Sequence, residues 1–178
     1  MKKVLFCMLC AIVAFGASAQ KERGFRSFVD FGYTYSLTDI YVDNGRHSST
    51  DKASDRVMVT YTGGYQFSPD FFIGVGAGAS YWYSGSAAEA TVEKIGVPIF
   101  ANVRYDLRTS GKFSYFVDAR AGYSVVDISG LYIAPYVGAR LALGDTFGLN
   151  LGVGYEYQKL KDVDGTLSGV AVKLGFDF

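Results

Sequence analysis

The chain has 178 residues, with 17 basic against 17 acidic side chains, 22 glycines, 14 tyrosines, 14 phenylalanines and three prolines. One domain fits that length. The absent net charge gives no basis for nucleic-acid binding, and a glycine- and aromatic-rich, proline-poor composition favours strands.

Lys2 and Lys3 open a basic start, Val4 to Phe15 is a short apolar run, and Ala17-Ser18-Ala19 is a small-residue cleavage site. This predicts an export signal over 1–19, too short to span a bilayer as a helix, and a mature domain over 20–178. Cys7 and Cys10 lie inside the signal, and neither follows the small residues that a lipidation site needs. The mature chain therefore has no disulfide, thiol nucleophile or thiolate metal site. It keeps fifteen basic and seventeen acidic residues, a net charge near −2.

From there the hydropathy has period two. The first strand is expected over Phe25 to Ser36, with Val29, Phe31, Tyr33 and Tyr35 on one face and Phe28, Asp30, Gly32, Thr34 and Ser36 on the other. Leu37 to Ser54 reads as a polar loop. The second strand, Asp55 to Ser68, turns Val57, Val59, Tyr61 and Tyr65 outward, and Pro69-Asp70 signals a tight turn. The third, Phe71 to Tyr83, alternates Ile73, Val75 and Ala77 with Phe72, Gly74, Gly76 and Trp82. After a loop at 84–91, the fourth runs from Val92 to Tyr105. Pro98 is awkward there, because it removes a ladder donor, and a bulge or a gap is expected. Asp106 to Gly111 reads as a turn. The fifth strand is Lys112 to Val126, the sixth Leu131 to Leu143, and the seventh Thr146 to Gln158. In the eighth, Leu167 to Phe178, the residues Val170, Val172, Leu174, Phe176 and Phe178 are apolar and two apart.

Eight strands of this length, with short turns at one end and mostly longer polar loops at the other, predict an all-β, transmembrane, antiparallel up-and-down barrel with periplasmic termini. The outward phase carries almost no charge, and its aromatics sort by height. Tyr35, Tyr81, Tyr83, Tyr123, Tyr155 and Tyr157 fall at the loop end. Phe67, Phe71, Tyr105, Phe113, Tyr115, Phe147 and Phe176 fall at the turn end, with aliphatic residues between. This is the pattern of two interfacial girdles around a lipid-facing band. The inward phase holds Asp30, Lys94, Arg104, Asp118, Arg120, Arg140, Glu156, Lys173 and Asp177. Buried charges must pair, and an eight-stranded lumen is just wide enough for side chains to fill. The inverted alternative is a soluble lipocalin-like barrel with the apolar phase inside around a ligand. Eight strands of bulky apolar residues would overfill so small a lumen.

The C-terminal strand VAVKLGFDF, ending on Phe178, and the plain barrel over Gln20 to Phe178 resemble the small eight-stranded outer-membrane barrels. That family includes the outer-membrane protein A transmembrane domain, outer-membrane protein X and the opacity-type adhesins. Composition and signal are similar to the small barrels of the Bacteroidetes. The resemblance implies that Val170, Val172, Leu174, Phe176 and Phe178 act as the signal read by the barrel-assembly machinery, and that the protein sits in the bacterial outer membrane among its lipids. Long adhesin-type loops are missing.

Candidate chemistry is sparse. His47 lies near Asp39, Asp43 and Asp51, but one histidine without cysteine is a weak metal signal. The spacing of Asp39, Asp43, Asn44, Asp51 and Asp55 is not that of an EF-hand. Ser48 and Ser49 have no definable His-Asp partner for a lipase or acyltransferase. Trp82, with Tyr81 and Tyr83, reads as girdle at the loop rim. The expected function is a structural and interaction barrel: monomeric, without cofactor, metal or catalysis, and able to offer its loops to a surface ligand. The alternative is a narrow low-conductance pore tuned by the inward charges.

Overall fold

The computed structural model describes residues 23–37, 39–43, 48–52, 55–83, 94–108, 111–127, 129–144, 147–160 and 166–178. The export signal expected over 1–19 and His47 lie outside them. Ten strands are described: β1 (Gly24–Ser36), β2 (Asp39–Asp43), β3 (Ser48–Lys52), β4 (Asp55–Ser68), β5 (Phe71–Tyr83), β6 (Lys94–Arg108), β7 (Phe113–Val126), β8 (Gly130–Ala142), β9 (Gly148–Leu160) and β10 (Thr166–Asp177).

Eight of these close an antiparallel barrel in the order β1-β10-β9-β8-β7-β6-β5-β4. The last strand seals the first, from Phe28 opposite Asp177 to Ser36 opposite Gly169. Ser27 and Phe178 extend that seam with a pair of backbone hydrogen bonds of 2.8 and 3.0 Å. Closure satisfies both edges of every strand, which an open sheet cannot do. The start of β1 and the end of β10 lie at the same end of the barrel as the β4–β5, β6–β7 and β8–β9 connections. This is the turn end, and the opposite one is the loop end.

Two boundaries differ from expectation. The stretch read as a continuous loop over 37–54 carries a two-stranded ribbon, β2 on β3, from Asp39 opposite Lys52 to Asp43 opposite Ser48. The wholly polar β3 hides the strand pattern, although Ile40, Tyr41 and Val42 in β2 are strand formers and Asn44-Gly45 is a hairpin signal. Likewise β6 continues three residues past Tyr105, so Asp106 belongs to the strand and pairs with Phe116, not to the turn.

Side chains alternate as the pleat demands. In β7 the odd residues from Phe113 to Val125 are exposed, while Phe116, Asp118, Arg120 and Ser124 are buried. Around the barrel the outward face is apolar: Val75 is 71% exposed, and Ile99, Val137, Leu151 and Val172 also stand free. The inward face holds the buried charges together with Phe28, Phe72, Phe100, Phe116, Tyr132 and Tyr136. Inward glycines seat these rings. A Cβ at Gly76 would lie 2.6 Å from the Phe100 ring, and one at Gly138 would lie 2.5 Å from Phe116.

Pro98 faces inward and is fully buried. The β5–β6 ladder lapses between the Ala77–Ile99 and Ser80–Gly96 pairs, with the register unchanged, while on the β7 side Pro98 still faces Ser124. The proline is therefore accommodated by a short gap and not by a bulge, because only the neighbour facing its missing N–H loses a partner. Pro135 does the same between β8 and β9. The brief connection after β7 starts inside the strand: Val126 has φ 79°, unusual for a β-branched residue, and turns the chain early.

Candidate functional site

The chemistry-bearing side chains are in the lumen, in three tiers. At the turn end Asp177 accepts from Arg140 Nη2 at 2.8 Å, Arg26 Nη2 at 3.1 Å and Asn150 Nδ2 at 2.7 Å. Asp106 accepts from Arg26 Nη1 at 2.7 Å and Arg104 Nε at 2.8 Å. Arg104 also donates to Asn150 Oδ1 at 2.9 Å, and its guanidinium lies 3.8 Å from the centroid of Phe116. Planar forks suit this role, since one arginine can bridge two carboxylates and stack on a ring at once.

In the middle tier Asp118 accepts from Lys173 Nζ at 2.9 Å, Asn102 Nδ2 at 2.8 Å and Arg120 Nε at 3.4 Å. Arg120 reaches across to Asp30 and donates to Thr60 Oγ1 at 3.1 Å. Lys173 sits 4.3 Å from the centroid of Tyr136, and Arg120 lies 5.1 Å from that of Phe100. Phe28, Phe72 and Phe116 separate this tier from the one below through an edge-on Phe28–Phe72 pair at 5.0 Å and the cation contacts on Phe116.

At the loop end Glu156 pairs with Arg56 and accepts from the hydroxyls of Thr34, Tyr132 and Tyr136. Arg56 lies 4.7 Å from the Trp82 ring and 5.6 Å from the Tyr132 ring.

Of the inward charges expected from sequence, Asp30, Asp118, Arg120 and Lys173 meet in one tier, and Arg104, Arg140 and Asp177 in another. Glu156 stands apart at the loop end, and Lys94 is described only through its backbone pairing with Trp82. Three charged members escaped the sequence reading: Arg26, Arg56 and Asp106. All are even-numbered and in phase with Asp30, Arg104 and Asp118, so the alternation carried to the strand ends would have found them. Trp82 is a correction. It is not rim girdle but points inward, 5% exposed, under Arg56.

The residues expected to form the girdles, where their side chains are described, stand on the outer face. Phe147 stacks on Phe176 at 5.6 Å, and Tyr65, Phe67 and Phe71 form a run of ring contacts at 5.0 and 6.4 Å. Tyr35, Tyr81, Tyr123 and Tyr155 are exposed at the loop end, and Tyr105, Phe113 and Tyr115 at the turn end. Asp55, a member of the loose acidic set, accepts from Tyr33 at 2.7 Å and from the Ser36 backbone at 3.1 Å. Among the described residues no group of three or more His, Cys, Asp or Glu side chains is placed to hold a metal.

A closed eight-stranded barrel, apolar outside and charged within, is an inside-out protein whose exterior suits hydrocarbon. It has the fold of the bacterial outer-membrane barrels. Among solved structures it is similar to the Neisserial surface protein A (NspA), at 14% identity and a TM-score of 0.62 over 88% of this chain and 98% of that one. The outer membrane protein OprG from Pseudomonas aeruginosa matches at 13% identity and a TM-score of 0.56, over 89% of this chain and 95% of that one. The outer membrane protein AlkL, solved in lipid bilayers, matches at 14% and 0.50 over 90% of each chain. No protein-family model matches the sequence. No curated protein matches it either.

Proposed function

We propose that this chain is a transmembrane anchor: a monomeric, non-catalytic barrel that holds its loops at the cell surface over a lumen filled by its own side chains. The observation that carries this reading is the lumen itself. Six cations and five carboxylates are described there, and each meets an opposite charge, a ring or both. An ion path would have to displace paired charges held in a low dielectric, where breaking a pair is costly.

The aliphatic band of Val75, Ile99, Val137, Leu151 and Val172 contacts lipid tails, and the two aromatic girdles mark the headgroup levels. The short turns and both ends of the described chain face the periplasm, and the longer connections, with the β2–β3 ribbon, face outward. Val170, Val172, Leu174, Phe176 and Phe178 are offered to the barrel-assembly machinery, and the loops to a surface ligand.

Single-channel recording of the refolded mature barrel in a planar bilayer, beside R120A, tests the filled lumen. No steady conductance is expected from the wild type. A steady current whose ion selectivity shifts in R120A would put Arg120 on a water path and replace the anchor with a pore.

A further inference from the structure

Of the three prolines of the chain, Pro69 is in a turn and the other two are in strands. Both strand prolines interrupt the wall, and both do so on the border of the same three strands. Pro98 breaks the β5–β6 ladder between Ala77–Ile99 and Ser80–Gly96, and Pro135 breaks β8–β9 between Ile133–Tyr157 and Tyr136–Gly154. Pro98 is fifth from the loop end of β6 and Pro135 sixth from that of β8, so the two gaps are at nearly the same distance from the rim. Between them nothing is broken. β6 and β7 pair continuously from Gly96–Val126 to Arg108–Ser114, and β7 and β8 from Ser124–Gly130 to Phe113–Leu141. β6 and β7 press so closely that a Cβ at Gly122 would run into the Ile99 carbonyl. The β1–β10 seam and the β1–β4 and β9–β10 ladders carry no such gap.

Beyond the gaps, among the described residues, three ladder pairs join this panel to β5 and four join it to β9. A proline has no N–H to give, so the carbonyls opposite, those of Gly78 and Tyr155, have no ladder donor. Ties across the lumen are missing too. Past Phe100 and Arg120 the inward residues of β6 and β7 are Pro98, Gly96, Gly122 and Ser124, too short to reach the far wall. Side-chain bonds bridge each gap instead. Ser80 Oγ donates to the Gly96 carbonyl at 3.1 Å on one flank, and Tyr132 and Tyr136 of β8 donate to Glu156 of β9 on the other. Such bonds break without breaking a ladder. Parting the wall therefore costs less at these gaps than along an unbroken ladder. One backbone bond on each flank is already absent, and an orphaned carbonyl gains a partner once water reaches it.

We infer that the loop-end third of β6, β7 and β8 is a hinged panel, which swings from the wall as one unit about Pro98 and Pro135, above the Arg120 tie. The movement opens the loop end of the lumen sideways while the saturated turn end stays closed. This goes beyond the anchor reading and does not depend on it, since the paired charges below the hinge stay in place.

Amide hydrogen exchange of the ¹⁵N-labelled, refolded barrel in zwitterionic micelles tests the panel. The reporters face each other across its two flanks: Ser80 and Gly96 on one, Ile133 and Tyr157 on the other. Both flanks should exchange at one common rate, roughly tenfold or more faster than Tyr35 and Val170 at the seam. P98A restores the N–H at one gap only, yet should slow both flanks by about fivefold, the equivalent of one backbone hydrogen bond. S80A removes the bridge from that same gap and should speed both flanks. Heat-modifiable gel mobility shows that each variant has folded, and should P98A not fold, P135A carries the same expectation and decides. Flanks as protected as the seam would overturn the hinged panel. So would a P98A or S80A effect confined to Ser80 and Gly96, which would leave two independent gaps.

Discussion

At the turn end of the lumen, Asp177 and Asp106 share three arginines, and Asn150 fills the space between Asp177 and Arg104. At the loop end a single arginine faces a single carboxylate, and Arg56, Trp82 and Ser36 each keep a polar atom unanswered. Both ends are buried and both have aromatic walls, so exposure does not separate them. Satisfaction does. A fully satisfied polar network is rigid and specifies one register, whereas each unpaired buried polar atom costs stability. The same wall of eight strands thus carries a cross-linked plug at one end and a less satisfied cluster at the other.

The comparison can be broken most forcefully at its saturated end. D177A removes the acceptor for Arg26, Arg140 and Asn150 at once; Arg26 keeps Asp106, while Arg140 loses the carboxylate that neutralises it. The expected loss is about 3–5 kcal/mol, read as a shift in denaturant midpoint in lipid vesicles, and wild-type stability in D177A would show that the plug is not what holds this end. V75R, at the most exposed point of the apolar band, leaves the lumen untouched and should cost about 2–4 kcal/mol near the bilayer midplane. A cost near zero would move the hydrocarbon level away from Val75. The smallest effect belongs to the loop end. S36A deletes a hydroxyl that has no partner, so its stability should stay level or rise by up to about 1 kcal/mol. A clear loss there would mean that Ser36 is a structural link and would erase the contrast between the two ends.

Much of the fold was legible because a half-buried strand writes its two faces in alternate residues. The run from Val170 to Phe178 and the odd residues of β7 assign themselves in this way. The reading failed where that signal thins. Arg26 sits third in its strand and Arg56 second in its own, next to polar stretches that swallow them. Asp106, followed within five residues by Thr109, Ser110 and Gly111, has the composition of a turn, yet Arg26 and Arg104 hold it in the strand. Trp82 was drawn to the rim by its tyrosine neighbours, although its own phase points inward. The ribbon at β2 and β3 was hidden because its second strand, Ser48 to Lys52, is polar throughout and gives the strand formers Ile40, Tyr41 and Val42 no alternating partner in the sequence.

The sequence by itself determined the number of barrel strands, the face of each and the contrast between an apolar exterior and a charged interior, because these follow from period two and need no knowledge of neighbours. Only the tertiary structure decided which charges meet. Asp177 and Arg26 are 151 residues apart, Arg56 and Gln158 are 102, and Arg120 and Asp30 are 90. Such partners are set by strand stagger around a closed ring, which no local pattern encodes. The loop-end cluster is a product of the same closure: Ser36, Arg56, Trp82 and Glu156 come from four strands and meet only once β10 has sealed against β1.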